Sequence, residues 1–264
     1  MRRPGELVGG LLSLMGGLAL AVLIVVPVVA LVARVPWSTA GAILGEPANR
    51  TALWLSLQVS LWALALSVVL GFPIAWLLAR VSFPGRRLVR ALVTLPMVVP
   101  PVVGGVALLM AFGRRGLIGQ WLDRWFDIQL AYTTTAAVMA ATFVSMPFFV
   151  ITVEAALRGT DRRYEDAART LGASPAVVLR RVTLPSISGA LGAGSALAWA
   201  RALGEFGATI TFAGSFPGQT QTMPLAINRA LDTNVEAAIL LSLVLLAASV
   251  VVLASLRDRW LGAG

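Results

Sequence analysis

The side chains that most often carry out chemistry are scarce in this 264-residue sequence. All 21 basic residues are arginine, so lysine, histidine and cysteine are absent. A G-x-x-x-x-G-K-[ST] loop needs its lysine to reach a phosphate, while zinc sites and thiol or imidazole catalysis need cysteine or histidine. We therefore expect no ATP-hydrolysing site, no metal site and no cofactor in this chain.

Carboxylates are the remaining candidates for acid–base chemistry. Glu154, Asp161, Glu165 and Asp166 lie in or beside one charged connection at residues 155–185, and no pocket is recognisable around them. General acid–base catalysis needs such groups within hydrogen-bond reach of a bound substrate. We therefore do not expect an enzyme.

The elements that position these residues are apolar enough to lie in a membrane. The chain is 58% hydrophobic and 12% charged, with a mean hydropathy of +0.85. A spanning helix needs roughly 20 apolar residues. Uncharged runs near or above that length occupy residues 7–33, 51–79, 91–113, 130–153, 182–200 and 237–256. The first run is longer than the apolar part of a signal peptide, so we expect it to be retained. The predicted fold class is an all-α integral membrane protein with six transmembrane helices in a single domain, residues 1–264.

The arginines predict the orientation of these spans. Lysine and arginine in short loops stay on the cytoplasmic side. With the N-terminus inside, fourteen arginines fall in inner segments, six in outer segments and one, Arg201, in the fifth span. The net charge of +9 forms no basic stripe interleaved with aromatic residues, so membrane orientation explains it better than nucleic-acid binding. We expect a multi-pass protein of the cell (inner) membrane with both termini cytoplasmic and no nucleic-acid partner.

The third span is interrupted by the sequence LPMVVPPVVGG, which contains Pro100, Pro101 and Gly104. Prolines remove backbone hydrogen bonds, and a broken helix at membrane depth persists only where protein or a water-filled cavity satisfies the freed groups. The pattern predicts a broken helix that lines a path. The alternative is a kink that only improves packing against small residues.

The fifth span carries Arg201 and Glu205, followed by hydroxyl groups at Thr209 and Thr211. An arginine and a glutamate four residues apart share a helix face and can neutralise each other. Charges inside a membrane are costly and commonly functional, whereas near the interface the cost is small. The pair is therefore either a structural ion pair or part of a path between spans three and five.

A short segment between spans three and four has a different pattern. Apolar residues recur at helical spacing from Ile118 to Phe126, with Trp121 and Trp125 among them. This is typical of an amphipathic helix at a membrane interface. We expect it on the outer side, as an anchor or as a docking site for an outside partner.

The charged connection at residues 155–185 predicts two short helices. Thr160 or Asp161 can cap the first helix, Gly172 can end it, and Ser174 before a proline can start the second. The first helix would expose the small residues Ala167 and Ala168 beside Glu165 and Asp166. Small residues allow a partner to approach closely, and carboxylates can pair with its basic groups. The segment therefore predicts a contact surface for a cytoplasmic protein.

This connection resembles a motif of the permease subunits of ATP-binding cassette (ABC) importers. Their motif reads EAA, three residues, G, nine residues, I, one residue, LP. The corresponding residues here, with every spacing kept, are Asp166, Ala167, Ala168, Gly172, Val182, Leu184 and Pro185. Asp166 replaces the glutamate, with Glu165 just before it, and Val182 replaces the isoleucine.

The resemblance implies a type I ABC importer permease fold with cytoplasmic coupling helices. It also implies a homodimer of this chain, two cytoplasmic ABC ATPase subunits and an extracytoplasmic oxyanion-binding protein. Glu165, Asp166, Ala167, Ala168, Gly172 and Ser174 would contact the ATPase subunits, and ATP hydrolysis would reside in those subunits.

A narrower resemblance concerns the substrate. The segment RALGEFGATITFAGSFPGQTQTMPLAI, from Arg201 to Ile227, is similar to the equivalent segment of molybdate permeases. GEFGA is shared with sulfate and thiosulfate permeases, whereas P-G-x-T-x-T-x-P is more similar to the molybdate branch. This implies molybdate as the substrate, and tungstate, sulfate or thiosulfate would fit the same group. Two functions of a different class also fit a polytopic membrane protein: an ion-coupled secondary transporter and a membrane scaffold without transport.

Overall fold

The computed structural model describes residues 4–261, with the side chains of residues 15–251 and 254. Within residues 4–261 the ordered elements are helices, and no strand is present. The four longest helices are α1 (Pro4–Ala33), α3 (Pro47–Arg80), α7 (Thr134–Gly159) and α14 (Val235–Leu261). A short helix, α2 (Ala40–Gly45), precedes α3.

Apolar length alone identifies fewer spans than the sequence predicts. Among the described residues, three helical stretches are long and apolar enough to cross a membrane: Met15–Ala33, Pro47–Arg80 and Thr134–Gly159. A bent pair of helices counts as a fourth, and Val235–Val251 is a shorter apolar helix. The six-span count therefore stays a prediction.

Small residues bring α3, α7 and α11 (Ser188–Leu203) into close contact at the centre of the molecule. The ring of Phe149 on α7 is fully buried between glycines of the other two helices. A Cβ atom on Gly71 of α3 would lie 2.9 Å from this ring, and one on Gly194 of α11 would lie 3.3 Å from it. A buried contact of 3.2 Å joins the hydroxyls of Ser67 and Ser145. Close approach through small residues is how helices pack in a membrane, where water supplies no hydrophobic driving force.

The third apolar run folds as two helices, α4 (Arg86–Val98) and α5 (Pro101–Phe112). Their axes are bent by 119° at a break after Val98. Pro100 and Pro101 have no N–H to donate, and a proline pushes the residue before it out of the helical region. The predicted break is therefore confirmed, and it is far sharper than a kink.

A second interruption follows α11, where the chain leaves the helix at Gly204 and continues as α12 (Gly207–Phe212). Glycines bring α12 against α5. A Cβ atom on Gly105 would lie 2.8 Å from the carbonyl oxygen of Ala208, and one on Gly207 would lie 3.0 Å from Pro101. The two interrupted apolar runs therefore meet backbone to backbone. After α12, a loop leads to α13 (Met223–Thr233) and α14.

The remaining elements are short. The segment after α5 forms α6 (Gly119–Phe126), as its amphipathic pattern predicts. The charged connection forms α8 (Arg163–Thr170), α9 (Pro175–Val178), a π-helix (Leu179–Thr183) and α10 (Leu184–Ser186). The predicted pair of short helices is thus confirmed, and the π-helix that links them to α11 was not predicted.

Candidate coupling site and translocation path

Two residues of the sequence pattern, Asp161 and Gly172, act at the ends of α8. Asp161 accepts a hydrogen bond from the Arg163 backbone N–H at 2.9 Å, which satisfies a free donor of the first turn. Thr160 instead belongs to the end of α7, where its hydroxyl donates to the Ala156 carbonyl. Gly172 takes a φ of +84°, the left-handed conformation that ends many helices. The N-cap position of α8 is occupied by Arg162, so neither predicted residue is the cap, and Asp161 supports the start of the helix from the position before it.

A chain reversal joins α8 to α9. The backbone N–H of Ala173 donates to the Ala168 carbonyl at 3.0 Å, which closes the last turn of α8. Ser174 stands at the N-cap position of α9 with proline at the first turn, but its hydroxyl makes no capping bond. The two helices are therefore held as a tight pair by backbone geometry and proline, without a side-chain cap.

The outer face of α8 is apolar at its ends and carries one acidic residue. Tyr164 is 68% exposed and Leu171 is 88% exposed. Asp166 and Ala167 are exposed and Ala168 is half-buried. Asp166 pairs with Arg169 of its own helix, at 3.3 Å, and both side chains are more than half exposed. Such an exposed pair contributes little to stability, so its carboxylate remains accessible.

Glu165 does not belong to this face, contrary to the sequence prediction. Its side chain is 5% exposed and lies 2.8 Å from the guanidinium of Arg80, which is 7% exposed. The buried hydroxyl of Thr183 donates to the same carboxylate oxygen at 3.0 Å. Glu165 therefore points into the protein, because a buried arginine at the end of α3 neutralises its charge there.

A second buried carboxylate, Glu154, lies one turn before the end of α7. It pairs with Arg158 at 2.8 Å and with Arg90 of α4. Arg158 and Arg86 also donate to the Leu78 carbonyl near the C-terminal end of α3. Arginine at a helix C-terminus is favourable, because the last carbonyls carry partial negative charge. Several arginines that indicate orientation in the sequence thus also hold α3, α4 and α7 together.

Arg201 and Glu205 form the predicted ion pair. Arg201 Nη1 lies 2.7 Å from Glu205 Oε2. The other oxygen of Glu205 accepts the Ala208 backbone N–H at 2.7 Å, in the first turn of α12. Glu205 is buried, whereas the Arg201 side chain is 28% exposed. The carboxylate therefore holds the break between α11 and α12 as well as neutralising the arginine.

The other pathway candidates lie on α5, on α12 or at the bend before α5. Pro101 lies against Gly207, and Gly104 is buried beside Phe143. Thr209 is buried on α12, whereas Pro100 is exposed at the bend. Thr211 donates its hydroxyl to the Gly207 carbonyl at 2.7 Å. The structure thus brings α5 and α12 together as the sequence predicts.

The polar loop between α12 and α13 turns part of its side chains inward. Thr220, Gln221 and Thr222 are buried. The Thr220 hydroxyl accepts the Phe216 backbone N–H at 3.0 Å, and the Gln221 amide donates to the Ser215 hydroxyl at 3.3 Å. Several polar groups of this loop are therefore used to hold the loop itself.

Sequence reasoning missed two residues of the coupling region, Arg80 and Thr183. Arg80 ends a long apolar helix, where an arginine is expected for orientation alone. Thr183 stands at the variable position between Val182 and Leu184 of the motif. No local signal pairs either residue with Glu165, since Arg80 is 85 positions away along the chain.

Comparison with known families identifies the family of this chain. Residues 67–263 match the family described as binding-protein-dependent transport system inner membrane component. The chain belongs to this family. It is therefore a multi-pass component of the inner membrane and a transport subunit, not an ATPase.

Two groups of relatives are similar over most of their length. The molybdenum transport system permease protein ModB of Mycobacterium tuberculosis is 46% identical over 238 residues, which cover 90% of each chain. ModB of Escherichia coli K12 is 46% identical over 182 residues, 69% of this chain and 80% of that protein. The sulfate transport system permease protein CysT of Escherichia coli is 38% identical over 244 residues, 91% of this chain and 88% of CysT.

Solved structures confirm the fold. A permease chain of a bacterial alginate ABC transporter, in complex with an alginate-bound periplasmic protein, superposes with a TM-score of 0.74 at 14% identity. The match covers 94% of this chain and 92% of that chain. The MetNI methionine ABC transporter, in an inward-facing conformation, matches with a TM-score of 0.61 at 18% identity over 81% and 94% of the two chains. The predicted type I ABC importer permease fold is therefore confirmed.

Proposed function

We propose that the chain is the permease subunit of an ABC importer for molybdate. The observation that carries this proposal is the 46% identity to a molybdenum permease over 238 residues, against 38% to a sulfate permease over 244 residues. Sulfate is the second candidate because that relative also covers 91% of the chain. Tungstate and thiosulfate belong to the same oxyanion class and are the further candidate cargoes.

The complete transporter in this proposal contains two copies of the chain, two ABC ATPase subunits and one external oxyanion-binding protein. Each copy forms a single domain of six spans with both termini in the cytoplasm. The arginine distribution supports this orientation, because it puts α8 and α9 on the cytoplasmic side. The chain needs no cofactor for this role.

The proposed ATPase contact is the exposed face of α8 together with the turn to α9. Asp166, Ala167, Ala168 and Gly172 come from the shared motif, and Ser174 follows in the turn. The side chains of Tyr164 and Leu171 add apolar surface that is exposed to solvent in the isolated chain. An apolar surface with one accessible carboxylate suits a groove with a basic rim. ATP binding would draw the ATPase subunits together and move α8 with them.

Charge reversal at Asp166 tests this contact. Asp166→Arg leaves the buried Glu165 in place, so we expect a folded chain that binds the ATPase subunits more weakly. Arg163→Asp, on an exposed position outside the motif, is the matched charge-reversal control. Co-purification of the ATPase subunits at wild-type yield with Asp166→Arg would contradict the assignment.

The proposed path lies where α5 meets α12, near the twofold axis between two copies. A dianion in a medium of low dielectric constant must be shielded, because an isolated charge there is very costly. Hydroxyl and backbone N–H groups shield an anion without holding it too tightly for release. Arg201 is paired with Glu205 beside this part of the chain, so the pair brings no net charge to the path.

Specificity in this proposal resides mainly in the external binding protein. A sulfate-binding protein that docks on the permease and stimulates ATP hydrolysis is expected to deliver sulfate through the same path. Strict refusal of sulfate, despite demonstrated docking and ATP turnover, would show that the membrane path itself selects the anion. ATP-dependent uptake also separates the importer from an ion-coupled transporter, which would respond to an ion gradient instead.

A further inference from the structure

The buried contact beneath α8 joins three separate elements through one oxygen atom. Oε1 of Glu165 lies 2.8 Å from the Arg80 guanidinium and accepts the Thr183 hydroxyl at 3.0 Å. Arg80 is the last residue of α3, Glu165 belongs to the first turn of α8, and Thr183 ends the π-helix that leads towards α11. A displacement of α8 must therefore move these neighbours or break the contact.

Additional bonds connect the same place to the end of α3. The guanidinium of Arg162, just before α8, donates to the Arg80 carbonyl at 3.4 Å. Arg158, at the end of α7, donates to the Leu78 carbonyl at 3.2 Å. Carbonyl groups at the C-terminal end of α3 thus accept hydrogen bonds from arginines on both sides of the turn between α7 and α8.

The burial of this ion pair indicates a geometric role. Removing two charges from water is costly, and an apolar pair of similar size would often be at least as stable. Buried ionic contacts are instead well suited to fix one arrangement, because the charges cannot exchange partners without being exposed. The exposed Asp166–Arg169 pair on the outer face of the same helix imposes no comparable constraint.

A π-helix lies at the Thr183 end of this contact. It covers five residues, Leu179–Thr183, and such segments are places where a helix departs from regular geometry. Thr183 is its last residue and is bonded to Glu165, so the contact connects α8 to the irregular segment that leads towards α11. The long helices α3 and α11 both pack on α7 in the core.

We propose that Arg80, Glu165 and Thr183 form a mechanical joint that makes α8 move as one body with the end of α3. This inference rests on the proposed importer function, in which ATPase subunits displace α8. Arg80 and Glu165 are positioning residues in this scheme: they do not touch the ATPase subunits or the transported anion. Without the joint, α8 would move with the ATPase subunits, but the membrane-spanning helices would not move with α8.

The test compares transport with ATP hydrolysis in vesicles that contain the whole complex. The double variant Arg80→Ala with Glu165→Ala removes both charges and leaves no uncompensated one. It is expected to assemble and hydrolyse ATP, while the molybdate moved per ATP falls about fivefold or more, the low end of typical coupling between sites. A parallel loss of assembly, ATP hydrolysis and melting temperature would show a purely structural role and overturn the joint.

The matched control removes another ion pair with a buried carboxylate, although its arginine is 37% exposed. Glu154 and Arg90 connect α7 to α4 rather than to α8. Arg158, the other partner of Glu154, is 42% exposed and keeps its own bond to the Leu78 carbonyl. Arg90→Ala with Glu154→Ala is expected to leave the molybdate moved per ATP unchanged. An equal fall in both double variants would overturn the specific role of the joint.

A distance measurement tests the joint without transport. The chain has no cysteine, so spin labels can be placed at Ser82→Cys and Arg163→Cys, two exposed positions on either side of the contact. The joint predicts a narrow distance that broadens when Arg80→Ala and Glu165→Ala are added, and an equally narrow distance in both chains would overturn it. If the wild-type complex shows no ATP-driven molybdate uptake, the proposed function fails, whereas this comparison needs no ATP and still decides the joint.

Discussion

The contact between α5 and α12 predicts a clear effect of a single methyl group at Gly105. A Cβ atom at this position would lie 2.7 Å from the Thr211 Cβ and 2.8 Å from the Ala208 carbonyl oxygen. The carbonyl belongs to the backbone of α12 and cannot rotate away, so the two helices must separate. Overpacking of this kind costs about 1–3 kcal/mol, and the rigid backbone contact favours the upper end.

Helix propensity acts in the opposite direction. Replacing glycine by alanine inside a helix gains about 1 kcal/mol. The net expectation for Gly105→Ala is therefore a loss of about 2 kcal/mol in the free energy of unfolding. For a chain of this size, each kcal/mol shifts the melting temperature by about 2–4 °C, which gives a decrease of about 4–8 °C.

The assay is thermal unfolding of the purified chain, followed by the fluorescence of its eight tryptophans. Gly189→Ala is the matched control, because a Cβ atom there meets nothing within 4 Å. The control is expected to melt at or slightly above the wild-type temperature. If Gly105→Ala melts as high as Gly189→Ala, the close contact between α5 and α12 is refuted.

Three further predictions concern other parts of the chain. The buried Ser56 hydroxyl accepts the first backbone N–H of α13 at 2.6 Å, so Ser56→Ala should destabilise the fold by about 1–3 kcal/mol in thermal unfolding. Ser60→Ala is its control, since that hydroxyl donates to Leu57 of its own helix, and equal melting of the two variants would contradict the prediction. Gly172→Val places a β-branched residue at a positive φ, which costs about 1–2 kcal/mol and should reduce ATP-driven uptake at normal yield; unchanged uptake would contradict the role of this turn. In sealed right-side-out vesicles, a membrane-impermeant thiol reagent should label Trp121→Cys and spare Ser174→Cys, and the reverse pattern would show that the arginine-based orientation is wrong.

Local chemistry explains which parts of the site could be predicted from sequence. Gly172, and proline after Ser174, mark the end of one helix and the start of the next, and those helices occur where expected. Arg201 and Glu205 meet because they are one helical turn apart. Each of these predictions depends on residues that are close together along the chain.

The features that the sequence did not predict involve contacts between segments that are far apart along the chain. Helical periodicity puts Glu165 beside Asp166, but it does not reveal that Arg80 lies beneath one of the two carboxylates. Prolines mark the break between α4 and α5, but they specify neither its angle of 119° nor the packing of α5 against α12. The burial of Glu165 and the sharpness of this bend are therefore tertiary properties that no short motif specifies.

The central claim is that the chain forms the membrane path of an ATP-driven molybdate importer. The most direct measurement is molybdate uptake into sealed vesicles that contain the chain, its ATPase subunits and the external binding protein. We predict uptake that requires ATP and the binding protein and that continues after ion gradients are abolished. Uptake that persists without ATP but follows an ion gradient, or no uptake by an assembled complex that hydrolyses ATP, would contradict the claim.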